Sequence, residues 1–175
     1  GNAIDAAVGT AFALAVVYPQ AGNLGGGGFI VLRTDKGFET SIDFRETAPL
    51  LSSKNMYLDK DGNVIENLST TGHLASGVPG SVAGLLYALE KYGSKPKEEI
   101  LSYAIELAEK GFYINQELAA SLNYHRNEFK SFTGSSKIFG KKFKENDLFI
   151  QTDLAKTLKD ISSKGADGFY KGDVA

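Results

Sequence analysis

The chain has 175 residues, of which 42% are hydrophobic and 23% are charged, and its formal net charge is −2. These values are ordinary for one folded domain and argue against general disorder. The near-neutral balance argues against an electrostatic grip on nucleic acid or on an anionic membrane. With no cysteine and only two histidines, the sequence excludes disulfides, thiolate zinc sites and a cysteine nucleophile, and it argues against a histidine-rich metal site.

The two ends of the chain are unlike the ends of a complete protein. The sequence begins Gly1-Asn2-Ala3, with no methionine and no signal-peptide pattern, and it stops at Ala175 directly after sequence typical of a domain interior. We therefore expect a fragment, or one piece of a processed protein.

The first predicted element is a helix over residues 3–17, an alanine-rich apolar run. The run is shorter than the roughly 20 residues that a membrane-spanning helix needs. Asn2 is a plausible N-cap, Asp5 suits the positive end of the helix dipole, and Pro19 ends the helix. Apolar residues occur around the whole circumference, so the pattern predicts a buried helix rather than an amphipathic one.

A run of four glycines, residues 25–28, precedes a predicted antiparallel hairpin. Its strands are residues 29–33 and 38–44, and residues 35–37 form the turn. The glycine run does not predict a phosphate-binding loop, because a strand follows it where nucleotide-binding loops open a helix. The glycines favour a place where another backbone comes too close for a β-carbon. Whether the run is only a tight turn between helix and sheet or also faces a substrate stays open.

Arg45 follows the second strand and lies next to this glycine-rich region in the predicted hairpin. The strand is expected to end by Ala48, because Pro49 restricts the residue before it to an extended or turn conformation. A planar guanidinium at a strand end suits bidentate binding of a carboxylate. The alternative is a surface or structural ion pair of Arg45 with Asp43 or Glu46, and the spacing alone favours this ion pair.

The middle of the chain, residues 50–80, predicts irregular structure. Residues 59–63, Asp-Lys-Asp-Gly-Asn, resemble the start of a calcium loop, but the glutamate that should complete such a loop is missing. This segment therefore predicts a solvated turn.

The second half of the chain predicts helices, which begin or end at residues suited to capping. Their ranges are residues 82–92 after Ser81, residues 98–110 before Gly111, a helix from Asn115 to about Arg126, and residues 153–164 before Gly165. Residues alone thus predict an α+β domain with a helix-rich second half and no catalytic constellation.

Two shorter patterns in the second half are assigned structural or solvent-exposed roles. Residues 94–97 match the Ser-x-x-Lys pattern of penicillin-binding enzymes, but Pro96 lies inside the match and the partner motifs are absent. The lysine-rich run at residues 137–144 carries Phe139 and Phe143, and we interpret it as a solvated loop rather than a nucleic-acid surface.

Motifs spread over the whole chain occur in one order and at one spacing that resemble the large subunit of bacterial gamma-glutamyltranspeptidases. They include Arg-Glu-Thr-Ala-Pro at residues 45–49 and Gly-Val-Pro-Gly-Ser-Val-Ala-Gly at residues 77–84. The other matching segments are residues 1–7, 25–29, 43–44, 110–112, 147–158 and 168–175. Each motif alone is modest, and their common register carries the resemblance.

This resemblance implies an N-terminal-nucleophile hydrolase made as one precursor that cleaves itself into a large and a small subunit. The nucleophile would be the N-terminal threonine of the small subunit, so this chain alone would be inactive. The implied reaction is cleavage of glutathione and other γ-glutamyl amides through a γ-glutamyl-enzyme ester, with transfer to water or an amino acid. The implied fold is part of an αββα sandwich, with helix and hairpin in residues 1–50 and mostly helices in residues 51–175.

The resemblance also implies the roles of two residues of this chain. Arg45 would bind the α-carboxylate of the γ-glutamyl substrate, and Glu46 would support it. No catalytic residue, metal or organic cofactor is expected here, the small subunit is the expected partner, and the expected location is the periplasm or cell exterior. The alternatives are a poly-γ-glutamate-processing or acylase relative, or a non-catalytic binding fragment. Arg45 argues against an acylase, whose substrates lack that free α-carboxylate.

Overall fold

The computed structural model describes all 175 residues. The helices are α1 (Ala3–Val17), α2 (Ser81–Tyr92), α3 (Lys97–Lys110), α4 (Gln116–Tyr124), α5 (Arg126–Lys130), α6 (Thr133–Phe139), α7 (Thr152–Lys164) and α8 (Asp167–Tyr170). The strands are β1 (Phe29–Arg33), β2 (Glu39–Asp43), β3 (Phe112–Tyr113) and β4 (Leu148–Phe149). The α+β class and the helix-rich second half are confirmed. No helix combines the length and the apolar character needed to cross a bilayer.

The chain divides into two compact units. The first consists of Gly1–Asn23 and Leu85–Ala175, and the second of Leu24–Gly84. In the first unit, helix α3 packs against both α1 and α7, and α7 packs against α8. The second unit contains the β1–β2 hairpin and the irregular segment that follows it.

Helix α1 begins with the predicted cap. The Asn2 side chain accepts hydrogen bonds from the backbone N–H groups of Ile4 and Asp5 at 2.9 and 3.0 Å, and the Asp5 carboxylate accepts one from the Asn2 N–H at 2.6 Å. Val8, Phe12 and Val16 are fully buried.

The prediction that α1 is buried all round is wrong for this chain. A second stripe of its surface is exposed, made of Ala3, Ala6, Ala7, Thr10 and Leu14. Hydrophobic periodicity identifies faces that are able to pack, and it does not tell which of them is covered. Alanine in particular has little apolar area, so an exposed alanine costs little free energy.

The predicted hairpin is present. Strands β1 and β2 pair antiparallel in a register that runs from Phe29–Asp43 to Arg33–Glu39. The turn places Gly37 at φ 80°, a left-handed conformation that favours glycine. Opposite side chains Arg33 and Glu39 form an ion pair at 3.4 Å across the two strands.

A small aromatic core in the first unit was not predicted. Strands β3 and β4 pair Phe112 with Phe149, and the rings of Phe149 and Phe143 meet edge to face with centroids 5.4 Å apart. The Asn123 amide holds Phe143 in place, accepting from its N–H at 2.9 Å and donating to its carbonyl at 2.8 Å.

The interpretation of residues 137–144 as a solvated loop is confirmed for its four lysines, which are exposed, and is wrong for Phe143 and for the helical start of the segment. Residues 137–139 form the last part of helix α6, and Phe143 is only 2% exposed. Lys141 keeps its charge near the surface while its ammonium lies 5.0 Å from the centroid of the Phe143 ring. The lysines thus flank a core residue, which a count of charges along the sequence does not reveal.

The other predicted helices are found at nearly the expected bounds. Helix α3 begins at Lys97, one residue earlier than predicted, and Asn115 caps α4 by accepting from the Leu118 N–H at 2.8 Å. Helix α4 ends at Tyr124, and His125 separates it from the short helix α5, so the single helix predicted there is two.

Candidate functional site

Arg45 and Glu46 lie between two anchored points of the backbone, all within the second unit. Before them, Phe44 exchanges backbone hydrogen bonds with Gly28, at 3.0 Å from the Phe44 N–H and 3.4 Å from the Gly28 N–H. After them, Thr47 exchanges bonds with Val78, at 3.0 and 2.8 Å. The two charged residues are therefore presented by a backbone that is held on both sides.

Glycines surround this segment because the backbone leaves no room for side chains. A β-carbon on Gly80 would stand 1.9 Å from the carbonyl oxygen of Phe44. One on Gly27 would stand 2.7 Å from that same oxygen and 2.9 Å from the α-carbon of Arg45. All three distances are shorter than van der Waals contact, so the close-approach interpretation of the glycine run is confirmed at Gly27.

Backbone hydrogen bonds connect the glycine run to the start of α2. The carbonyl of Gly26 accepts from the N–H groups of Gly80 and Ser81, at 2.9 and 3.0 Å. The motif at residues 25–28 and the motif at residues 77–84 thus meet around residues 44–47. The sequence shows these motifs only as separate segments.

The Arg45 side chain is exposed and available to a ligand. Its guanidinium is absent from the ion pairs of the chain. The Asp43 side chain contacts the backbone of Arg45 instead: its Oδ1 accepts a hydrogen bond from the Arg45 N–H at 3.0 Å. The alternative of an Arg45 ion pair with Asp43 or Glu46 is therefore not what the structure shows.

Glu46 packs against glycines. Its Oε2 lies 2.7 Å from the position that a β-carbon on Gly27 would occupy, and its own β-carbon lies 3.2 Å from the equivalent position on Gly77. The carboxylate is thus directed toward the glycine run.

The most connected acidic group of the chain lies elsewhere, in the first unit, and sequence reasoning assigned it only to a helix dipole. Asp5 is 4% exposed. Besides the bond from Asn2, it accepts hydrogen bonds from the Ser94 N–H at 2.8 Å, the Ser94 hydroxyl at 2.6 Å and the Lys95 N–H at 3.1 Å. Burial alone raises the pKa of Asp5, but the bonds from Ser94, Asn2 and Lys95 outweigh it and hold the pKa far below its ordinary value.

The hydrogen bonds of Asp5 give structural roles to Asp5 itself and to the Ser-x-x-Lys pattern at residues 94–97. Ser94, the serine of the Ser-x-x-Lys pattern, donates its hydroxyl to Asp5, and it does so from a loop. Asp5 in turn joins the first turn of α1 to that loop, which follows α2 in the chain. No local pattern pairs residues about 90 positions apart, so only the structure reveals the connection.

The calcium-like segment is a turn held by its first residue. Asp59 Oδ1 accepts from the N–H groups of Asp61 and Asn63, both at 2.9 Å. The backbone bond from Asn63 is the main reason that the pKa of Asp59 is lowered. The chain places no group of three or more histidines or acidic residues where they could hold a metal ion.

The sequence model of the gamma-glutamyltranspeptidase family matches residues 1–175. The chain belongs to this family. It is 54% identical over 179 residues to the glutathione hydrolase proenzyme of Pseudomonas sp. (strain A14), an alignment that covers 100% of this chain and 31% of that protein. This member of the gamma-glutamyltranspeptidase family thus spans about a third of the length of the curated relatives it matches.

Solved structures of gamma-glutamyltranspeptidase relatives have the same fold over nearly the whole chain. The crystal structure of Helicobacter pylori gamma-glutamyltranspeptidase superposes with a TM-score of 0.95 at 53% identity, covering 99% of this chain and 51% of that one. The Bacillus anthracis transpeptidase enzyme CapD superposes with a TM-score of 0.78 at 36% identity, covering 99% of this chain and 54% of that one. The family resemblance and the fold that it implied are confirmed.

Proposed function

We propose that the chain is the large-subunit part of an enzyme that cleaves glutathione and other γ-glutamyl amides and transfers the γ-glutamyl group to water or amino acids. The observation that carries the proposal is the Arg45 guanidinium, exposed and unpaired on a backbone segment that is anchored before and after it. An arginine presented in this way is suited to bind a carboxylate with both arms of its fork. The relatives named glutathione hydrolase proenzymes support the same activity.

In this proposal Arg45 binds the α-carboxylate of the γ-glutamyl group. That carboxylate is several bonds away from the scissile amide, so Arg45 positions the substrate and takes no part in bond breaking. Glu46 supports the site by packing against Gly27 and Gly77, which fixes the segment that follows Arg45.

The chemical step belongs to the proposed partner, the small subunit of the same precursor. The hydroxyl of its N-terminal threonine attacks the γ-carbonyl carbon while its own amine takes the proton. The C–N bond breaks, the amine leaves with a proton, and a γ-glutamyl ester remains. Water or the amine of an amino acid then attacks the ester and regenerates the hydroxyl. These reaction steps need no metal or organic cofactor. We further propose that the enzyme is located in the periplasm or outside the cell.

A poly-γ-glutamate-processing enzyme is the second candidate, supported by the similarity to the capsule biosynthesis protein CapD proenzyme, 38% identical over 179 residues. Each residue of such a polymer also has a free α-carboxylate beside a γ-amide, so Arg45 would bind it in the same way. An acylase is disfavoured, because its substrates offer no such carboxylate to Arg45.

The test uses the full-length protein that contains this chain. Its processing into two subunits is followed on a gel, and hydrolysis is measured on γ-glutamyl-p-nitroanilide, glutathione and poly-γ-glutamate. Turnover of the two small substrates supports the proposal. Turnover of the polymer alone replaces it with the second candidate, and processing without turnover of any γ-glutamyl compound contradicts both.

A further inference from the structure

We infer that Asp43 is a positioning residue that sets the direction of the Arg45 side chain and thereby the affinity for the substrate carboxylate. This inference rests on the proposed function of Arg45. The Arg45 N–H donates a hydrogen bond to the Asp43 side chain. In this role Asp43 acts through Arg45 and contacts no substrate itself.

Strand pairing leaves the Arg45 N–H without a backbone partner. In an antiparallel pair, the N–H groups of successive residues point alternately toward and away from the neighbouring strand. Phe44 directs its N–H toward Gly28 on the β1 side. The Arg45 N–H therefore points to the other side of the strand, where the two-stranded sheet has no further member.

Two different groups bind the donors on that side. Thr47, two residues further on, donates its N–H to the carbonyl of Val78 at 3.0 Å. Arg45 donates to Asp43 Oδ1 at 3.0 Å. The Asp43 side chain thus substitutes for a strand at a position where no backbone acceptor is available.

This bond fixes the peptide group that precedes the Arg45 α-carbon. Its oxygen, on Phe44, accepts from the Gly28 N–H at 3.4 Å and lies where Gly80 leaves room for it. Its N–H is held by Asp43. Because both ends of the peptide plane are held, the plane cannot rotate. The Thr47–Val78 bonds hold the chain two residues further on and limit rotation about the N–Cα bond of Arg45, so the two restraints together set the direction of its β-carbon.

The negative charge of Asp43 and its proposed positioning role have opposite effects on substrate affinity. A carboxylate near a site for another carboxylate repels it, so removing the charge alone should strengthen substrate binding. If Asp43 acts by positioning Arg45, removing its acceptor should weaken binding instead. The two effects of one substitution therefore point in opposite directions.

The experiment compares Asp43→Ala, Asp43→Glu and Asp43→Asn in the full-length processed enzyme. Asp43→Ala removes the acceptor, and Asp43→Glu keeps the charge but moves the carboxylate one methylene away. Both should raise KM for γ-glutamyl-p-nitroanilide about 3- to 10-fold with little change in kcat, as expected for one lost hydrogen bond. Asp43→Asn keeps an acceptor oxygen and should stay within about twofold of the wild type. Asp35→Ala, which removes an exposed aspartate from the turn of the same hairpin, is the matched control.

Two further measurements separate positioning from general damage. With 4-aminobutyryl-p-nitroanilide, which lacks the α-carboxylate, Asp43→Ala should leave kcat/KM unchanged. Combined with Arg45→Lys, Asp43→Ala should add less than about twofold to KM, since it acts through Arg45. Equal losses on both substrates, additive effects in the double variant, or a wild-type KM for Asp43→Ala overturn the inference while leaving the role of Arg45 intact. A wild-type KM for Arg45→Lys alone overturns the proposed role of Arg45 instead, and absence of turnover of every γ-glutamyl compound overturns the proposed function.

Discussion

Gly84, in the first turn of α2, lies directly against the ring of Phe44. A β-carbon at position 84 would stand 2.2 Å from Cγ of that ring and 2.4 Å from the Phe44 Cβ that carries it. The residue before Arg45 is therefore packed on a helix that has no side chain at the contact. The glycine at the end of the residue 77–84 motif is required by this contact and not by its own backbone conformation, since its φ is not positive.

Replacing Gly84 by alanine should destabilise the full-length protein. In an open helix, the exchange of glycine for alanine stabilises by about 1 kcal/mol. Here the added methyl overlaps the Phe44 ring, and overpacking of this kind costs about 1–3 kcal/mol or more. The clash should prevail, which thermal unfolding of Gly84→Ala against the wild type measures as a lower melting temperature.

Gly134 offers the matched control for that measurement. It is also a helical glycine, in α6, and a β-carbon there would meet nothing within 4 Å. Gly134→Ala should be neutral or stabilising by up to about 1 kcal/mol. If Gly84→Ala is equally well tolerated, the packing of Phe44 on α2 does not constrain residues 44–47.

Truncating Phe143 should be among the most damaging substitutions in the second half of the chain. Its ring is 2% exposed and packs against Phe149, so Phe143→Ala should cost about 3–5 kcal/mol of unfolding free energy. Tyr103→Ala, at an aromatic residue that is 68% exposed, should change stability by about 0.5 kcal/mol or less. Denaturant unfolding of the two variants checks the contrast, and similar losses in both would show that residues 137–144 do behave as a surface loop.

The start of α1 and the hairpin could be predicted from the sequence, because contacts between residues close in the chain determine them. The start of α1 follows from Asn2, whose side chain bonds residues only two and three positions away. The hairpin follows from a glycine turn between two β-rich runs, and the glycine takes the positive φ that the turn requires. In each case the decisive contact lies within a few residues, so composition and spacing were sufficient.

The surroundings of Arg45 could be predicted only in part. Arg45 and the glycine run were identified as neighbours because the hairpin brings them together. The approach of Gly80 to Phe44 joins residues 36 positions apart, and nothing in either segment specifies its partner. The burial of Phe143 was missed for a related reason: the surrounding lysines suggested solvent, and the partner aromatic Phe149 lies on a strand of only two residues.

The stability of the protein should depend on the ionisation of Asp5 at acid pH. Hydrogen bonds in the folded state hold the Asp5 pKa below the unfolded value of about 3.9. A depressed folded-state pKa contributes stability that is fully present above the unfolded pKa and is lost as the pH falls toward the folded pKa. Asp5→Asn removes this contribution, so the melting temperature of the variant should lie below that of the wild type at pH 7. The gap should narrow below about pH 4.

The measurement is thermal unfolding of both proteins between pH 7 and pH 3, with Asp35→Asn as the control. Asp35 is an exposed turn residue, and its variant should follow the wild type over the whole range. A gap between Asp5→Asn and the wild type that stays constant down to pH 3 would show that Asp5 contributes through the shape of its side chain and not through its charge.

If Arg45 has its proposed role, substituting it by lysine should weaken substrate binding although the charge is kept. Lysine lacks the planar fork that engages both oxygens of a carboxylate. Losing one charge-assisted hydrogen bond should raise KM roughly 10- to 100-fold. The value of kcat should change little, because the α-carboxylate is remote from the scissile amide and is bound alike in the ground and transition states.

Arg33→Lys gives the matched control, since Arg33 lies on the same hairpin and pairs with Glu39. Cleavage of the precursor into its subunits should proceed normally in both variants, because no free α-carboxylate takes part in that step. Subunit formation is followed on a gel, and steady-state kinetics are measured on γ-glutamyl-p-nitroanilide for the same variants. If Arg45→Lys is processed normally and keeps the KM of the wild type and of Arg33→Lys, the exposed guanidinium of Arg45 does not bind substrate. Its anchored backbone then serves the fold alone.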